Sequence, residues 1–256
     1  MESPSEVQCF ESNQAEQLYE QTYLRAQDYP VRGFEFDWPE DSPYQVFRKT
    51  LTNFGLFDFV APPPPANLTL VREFYSNAHA RDGVLFSNTF VRDSDVSFTP
   101  RRLRQLFNLP RVKNCNYKRL RVNTAMIPEM AAVLCPKGVK GLGNQIDKQQ
   151  LGFHARVWLR FINNCIMPTV SYTNVGPDRI ALLYCFMTQQ PVDIARIICS
   201  LMAQFISNRS NKTYFGSFIH ALCRHKLIES LPDDEEGKIA QPINSRALAK
   251  IGRAHV

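Results

Sequence analysis

His220, Cys223 and His225, in the stretch HALCRHK, are the residues whose types come nearest to a metal centre. On a helix His220 and Cys223, at i and i+3, share a face. Two ligands do not complete the set of four that zinc takes, so a part-buried histidine beside a core thiol is the expectation. The segment PKGVKGLGNQ sets Gly138, Gly141 and Gly143 among Lys137 and Lys140, residue types that can cradle a phosphate. It matches neither G-x-G-x-x-G after a strand nor G-x-x-x-x-G-K-[ST], and a basic loop between two helices accounts for it. No serine, cysteine or lysine lies beside a base in a nucleophile motif. Three acidic residues holding two metals, or an aspartate pair beside a third carboxylate, would mark strand transfer or polymerisation. Residues 68–230 carry nine carboxylates and no such cluster, with Asp93 and Asp95 in a turn. The expectation is therefore no catalytic residue, no metal, no cofactor and no enzyme.

Cations form the stronger constellation. Arg101, Arg102, Arg104, Arg111, Lys113, Lys118, Arg119 and Arg121 lie within about twenty residues, with Tyr117 interleaved. Such a tract neutralises phosphates and gives sequence-independent affinity that falls steeply with salt. Base readout would need polar readers on a second helix at helix-turn-helix spacing, whereas a strand precedes this helix. The partner implied is RNA or DNA held through its phosphates, with a solvated cationic face as the competing account. A protein partner or self-association stands beside it, and no membrane.

The elements that must position these cations are legible. In SFTPRRLRQLFNLP, Thr99 can cap, Pro100 suits the first helical position and Pro110 forbids continuation. Leu103, Leu106 and Phe107 form one apolar stripe, with the arginines mostly off it. Upstream, GVLFSNTFVRDSDVSFT alternates Val84, Phe86, Phe90, Val91, Val96 and Phe98 about an Arg-Asp-Ser-Asp turn, a hairpin signal. Helical periodicity recurs in NLTLVREFYSNA, AMIPEMAAVLC, QLGFHARVWLRFINNCIMP, GPDRIALLYCFMT, QPVDIARIICSLMAQFISN and YFGSFIHALCRHKLI. The fold class expected is mainly α, a multi-helix globular domain with one small β-hairpin.

Charge is segregated along the chain. Residues 1–67 hold 4 Lys/Arg against 11 Asp/Glu, residues 68–230 hold 22 against 9, and residues 231–256 hold four of each. The reading is a flexible acidic arm over 1–40, partly helical from Asn13 to Gln27, then a short helix and the stiff spacer APPPPA over 41–67. The main domain follows over 68–230, and a disordered tail over 231–256. The acidic arm either faces a polyanion-seeking body or folds back over it. Seven cysteines without a CxxC pair suit reduced thiols. No apolar run approaches the roughly 20 residues that span a bilayer, and the acidic start resembles no signal peptide. A nuclear or cytoplasmic location is expected, and the sequons at Asn67, Asn208 and Asn211 carry no weight there. The closing IGRAHV is consistent with a sequencing adapter read in frame, so the natural chain is expected to continue beyond about Lys250.

The segments LVREFYSNA, FVRDSDVSFTPRRLRQLFNLP, VWLRFINNCIMPTVSYTNVGPDRIALLYCFMTQQPVDIARIICSLM and FGSFIHALCR, in that order, resemble the plant domain family catalogued as putative plant transposon protein. More distantly they are similar to the plant mobile domain. The resemblance covers about residues 68–230 and implies a retroelement context without a mechanism. It implies a non-enzymatic binding or assembly module, the alternatives being a domesticated host nuclear scaffold or regulator and an unrecognised enzyme.

Overall fold

In the computed structural model, which describes residues 7–80, 87–139, 143–169, 173–208 and 211–253, the apolar periodicities resolve into short helices joined by two-stranded pairs. The helices are α1 (Asn13–Leu18), α2 (Gln45–Asn53), α3 (Leu68–Ala80), α4 (Pro100–Phe107), α5 (Tyr117–Val122), α6 (Ile127–Leu134), α7 (Phe153–Phe161), α8 (Pro177–Met187), α9 (Ile194–Ser207), α10 (Gly216–His225) and α11 (Ser245–Arg253). The strands are β1 (Gln27–Asp28), β2 (Asn88–Val91), β3 (Ser94–Ser97), β4 (Ile146–Asp147), β5 (Asn174–Val175) and β6 (Lys212–Thr213). The fold is mainly α with small β elements. Two compact units divide it, the first from Met1–Val31, Pro63–Phe107 and Ala195–Ala240, the second from Arg32–Pro62, Asn108–Ile194 and Gln241–Val256.

In the first unit α3 is the central helix, with Leu70, Val71, Phe74, Tyr75 and Ala78 all buried. Burial forces the Tyr75 hydroxyl to find an acceptor, and it donates to the Tyr214 carbonyl at 2.7 Å. The expected hairpin forms from β2 and β3, antiparallel, with Asn88 opposite Ser97 and Val91 opposite Ser94. Its two-residue turn, Arg92 (φ 43°) and Asp93 (φ 58°), is left-handed at both positions, the geometry that follows strand twist. Thr89, Val91 and Val96 all point to the core. Val84 and Phe86 lie outside the described residues. A parallel pair, β1 with β6, and α1, α9 and α10 complete this unit.

α4 begins and ends as its sequence dictates. The Thr99 hydroxyl accepts from Arg102 N–H at 3.2 Å, Pro100 opens the helix, and Asn108 turns left-handed (φ 49°) just after it. Leu103 is fully buried, and the Phe107 ring meets Phe218 of α10 edge-on at 5.0 Å.

The second unit is built on aromatic rings. Trp158 of α7 stacks on Phe186 of α8 at 4.8 Å, Phe161 meets Phe186 edge-on at 5.6 Å, and Phe47 of α2 meets Trp158 at 5.1 Å. α8 packs against α5, α6 and α7, so Ile180, Ala181, Leu182 and Leu183 are buried in succession. α7 runs on into a π-helical turn, Ile162–Ile166. The antiparallel pair β4–β5 and α11 belong here too.

Both chain ends contribute buried side chains: Ala15 and Tyr23 in the first unit, and Phe34 and Trp38 in the second. In residues 231–253, Gly237 N–H donates to the Ala66 carbonyl, Phe34 bridges Ile243, and Ile243 and Leu248 are fully buried. Ala254–Val256 lie outside the described residues.

Candidate nucleic-acid interface

The eight cations proposed for phosphate contact fall in both units. Arg101, Arg102 and Arg104 sit on α4 in the first, and Arg111, Lys113, Lys118, Arg119 and Arg121 in the second. On α4, Arg101 is exposed while Arg102 and Arg104 are half-buried. Arg102 Nη1 lies 2.8 Å from His225 Nε2 and 3.4 Å from Gln105 Oε1. Because a guanidinium only donates, His225 Nε2 is the acceptor in this contact.

In the second unit Arg111 and Lys113 lie on the irregular, bent run before α5, and Lys118, Arg119 and Arg121 on α5 itself, all five exposed. Arg121 Nε stands 3.6 Å from Asp178 Oδ1 across solvent, a pair of little energetic weight. No described carboxylate pairs with Arg111, Lys113, Lys118 or Arg119. Tyr117 does not serve as a stacking platform. It is buried with Leu120, one turn of α5 supplying an inward stripe at i and i+3, and burial pushes its phenol well above the usual range.

Other sequence candidates resolve to structure. His220 is half-buried, with Nδ1 3.3 Å from both the Asn67 N–H and the Pro65 carbonyl oxygen, and burial lowers its pKa. Cys223 is fully buried, its thiol pushed up to about 12. Lys140 and Gly141 lie outside the described residues; Lys137 and Gly138 are exposed. Among the described residues, no three His, Cys, Asp or Glu side chains gather as metal ligands would.

Sequence reasoning missed a buried ionic cluster in the first unit. The Arg92 guanidinium, aimed inward by the hairpin turn, donates to Glu73 Oε1 from Nε (3.2 Å) and Nη2 (3.0 Å). It also donates to Asp234 Oδ1 (2.5 Å) and Oδ2 (2.9 Å) and to the Glu229 carbonyl (3.0 Å). Asp234 Oδ2 further accepts from Asn67 Nδ2 (2.6 Å) and Leu231 N–H (2.8 Å). The side chains of Glu73, Arg92 and Asp234 are 3%, 5% and 6% exposed, so this is an interior cluster. The acidic run DDEE also answers the N-terminal end of α3. Leu68 N–H donates to the Glu235 carbonyl, and Glu235 pairs with Arg72 at 2.5 Å.

Two carboxylates share one cation here, and they are not equally served. Asp234 is held ionised by Arg92 and Asn67, and its pKa lies below the usual value despite burial. Glu73 keeps one oxygen, Oε2, buried without a partner. Burial pushes its carboxyl up to about 7, against the pull of Arg92. The spare proton therefore rests on Glu73. A carboxyl whose folded pKa is raised favours folding fully below its unfolded value of 4.5, and that contribution is lost as pH rises through about 7. Asp234, shifted down, contributes above its unfolded value of 3.8 and loses this as pH falls through its folded pKa. Urea unfolding between pH 4.5 and 7 should show stability declining with pH by at most about 1.4 kcal/mol per unit from this group. Glu73→Gln should flatten that decline, and an unchanged slope in the variant would refute the assignment.

These units define the class: a mainly helical domain with small strand pairs and an internal acidic clasp. A family model described as Putative plant retrotransposon-related domain matches residues 52–229, and the chain belongs to that family, of plant retroelement origin. The match starts upstream of residue 68, taking in the end of α2 and the proline run. No curated protein and no solved structure matches the chain.

Proposed function

We propose that this chain is a non-enzymatic binding module that contacts the sugar-phosphate backbone of RNA or DNA without reading base sequence. The observation that supports this reading is the set of four exposed cations without a carboxylate partner among the described residues, Arg111, Lys113, Lys118 and Arg119, in the second unit. Cations that are not neutralised within the fold keep their counterions until a polyanion displaces them, and that release drives association. Arg101 adds an exposed charge on α4, whereas Arg102 is engaged with His225. Without stacking from Tyr117, affinity rests on phosphates alone, so discrimination between sequences is small.

The test is salt-dependent binding of generic oligonucleotides. For the wild type, log K should fall linearly with log salt, with a slope of about −0.7 to −0.9 per phosphate neutralised. Replacing Arg111, Lys113, Lys118 and Arg119 together by Gln should reduce the slope by about 3 and weaken every oligonucleotide alike. The triple change Arg101→Gln, Arg102→Gln, Arg104→Gln should weaken binding less. Binding that ignores salt, or a quadruple variant that binds like wild type, would refute the reading.

A further inference from the structure

A second cationic feature lies in the second unit and shares no residue with those eight. α7 carries Arg156 and Arg160 at i and i+4, which places both on one helical face. With Lys148, from the turn before α7, and Asn163 and Asn164, from the π-helical turn after it, they line a cavity of about 50 Å³. Leu159 and Ile251 supply its apolar wall. One ordered water needs roughly 10–15 Å³, so the space exceeds that of a single solvent molecule.

The charges in this pocket are unanswered. Arg156 is 7% exposed, yet no carboxylate or other acceptor among the described residues pairs with its side chain. The Nε atoms of Arg156 and of Arg160 are both buried without a hydrogen-bond partner. Of the described residues that line the cavity, none is acidic. Asn163 is already committed, its Oδ1 accepting from Arg179 Nε at 2.8 Å, and Asn164 Nδ2 donates to the Arg160 carbonyl. A buried guanidinium without a partner is costly, and two like charges one turn apart repel. Burial accordingly lowers the proton affinity of Arg156. A strand or helix of this chain that carried a carboxylate into the cavity would have removed that cost; here it is left standing.

We propose that the cavity lined by Lys148, Arg156 and Arg160 is a binding site for one phosphate group, either the free ion or a terminal phosphate of a nucleotide chain. A tetrahedral oxyanion offers acceptors to both Nε–H donors and charge to all three cations, which is what the pocket lacks. Guanidinium groups suit it because their N–H forks match phosphate oxygens in pairs. The site stands whether or not the α5 cations hold a nucleic acid backbone.

The test is thermal unfolding of the full chain in inorganic phosphate against chloride at matched ionic strength. At a tenfold excess over Kd, phosphate should raise the wild-type Tm by about 3–6 °C. Arg156→Met with Arg160→Gln should abolish that rise, and Arg160→Gln alone, at a half-buried position, should reduce it and keeps the test open should the double variant fold poorly. A second arm compares a short oligonucleotide with and without a 5′-phosphate: protection by the phosphorylated form alone assigns the terminal phosphate, and protection by the inorganic ion without either assigns the free ion. Absence of any rise in wild type, or an equal rise in the variants, would overturn the site. The quadruple Gln variant of the α5 region should retain the phosphate response, so the two proposals fail separately.

Discussion

Arg92→Ala is expected to lower the unfolding free energy by about 3–5 kcal/mol, a large part of the 5–15 kcal/mol that holds a typical domain. The reason is the arithmetic of the cluster. Among the described residues Arg92 is the one cation between Glu73 and Asp234, and its removal leaves two interior carboxylates served by Asn67 and the Leu231 N–H alone. Glu73 can escape by keeping its proton, since its carboxyl already titrates near 7; Asp234 cannot do so as readily, because Asn67 Nδ2 and the Leu231 N–H still donate to its carboxylate. The loss should therefore be larger at neutral pH than at pH 5. Arg92→Lys should recover only part of it, because a single ammonium cannot span both carboxylates and the Glu229 carbonyl as the fork does. Alanine also meets a left-handed φ of 43° at this position without the inward ion pairs that hold arginine there. Urea unfolding followed by circular dichroism, with an unchanged m value, measures the effect. A loss below 1 kcal/mol would mean that the cluster is solvated in solution.

The contrast between what could and could not be read from the sequence follows from range. α4 was legible because its determinants are local: a capping hydroxyl, a proline at the first position and a stripe at i, i+3 and i+4. The hairpin was legible from alternation on either side of Arg92 and Asp93. The partner of Arg92 was not, because Asp234 lies 142 residues away in a run, PDDEEG, whose composition resembles a solvated tail. The division into two units was equally hidden. Apolar periodicity says that a helix has a buried face, not which helix covers it, so the basic tract read as one feature although the boundary falls between Phe107 and Asn108. Tyr117, interleaved with the cations in sequence, lies one turn from Leu120, and the two form the buried face of α5. The Arg156 and Arg160 pair stands at i and i+4 in the sequence, but its significance depends on there being no carboxylate among the described residues that line the cavity, and a sequence does not show absences in space.

Trp158→Ala should be the most damaging single change in the second unit, with an expected loss of about 3–5 kcal/mol. Its indole is 3% exposed and is held from three sides: stacked at 24° on Phe186, and crossed edge-on by Phe47 at 66° and Phe161 at 73°. Truncation removes the largest side chain of that cluster and leaves rings that cannot collapse into the space, since Phe161 and Phe186 are themselves fixed against one another. Ring geometry can be separated from bulk by a double-mutant cycle with Phe186→Leu, for which a coupling of about 0.5–1.5 kcal/mol is expected beyond the lost area. The measurement has a built-in reporter. The chain has two tryptophans, Trp38 and Trp158, and both belong to the second unit. In the Trp158→Ala variant the remaining emission comes from Trp38, buried against Phe34 and Phe36 and joined to the same cluster through the Phe34–Phe161 contact, so its red shift on denaturation reports on that cluster. A Trp38 transition at the wild-type denaturant concentration would show that the stack on Phe186 contributes nothing to the stability of this unit.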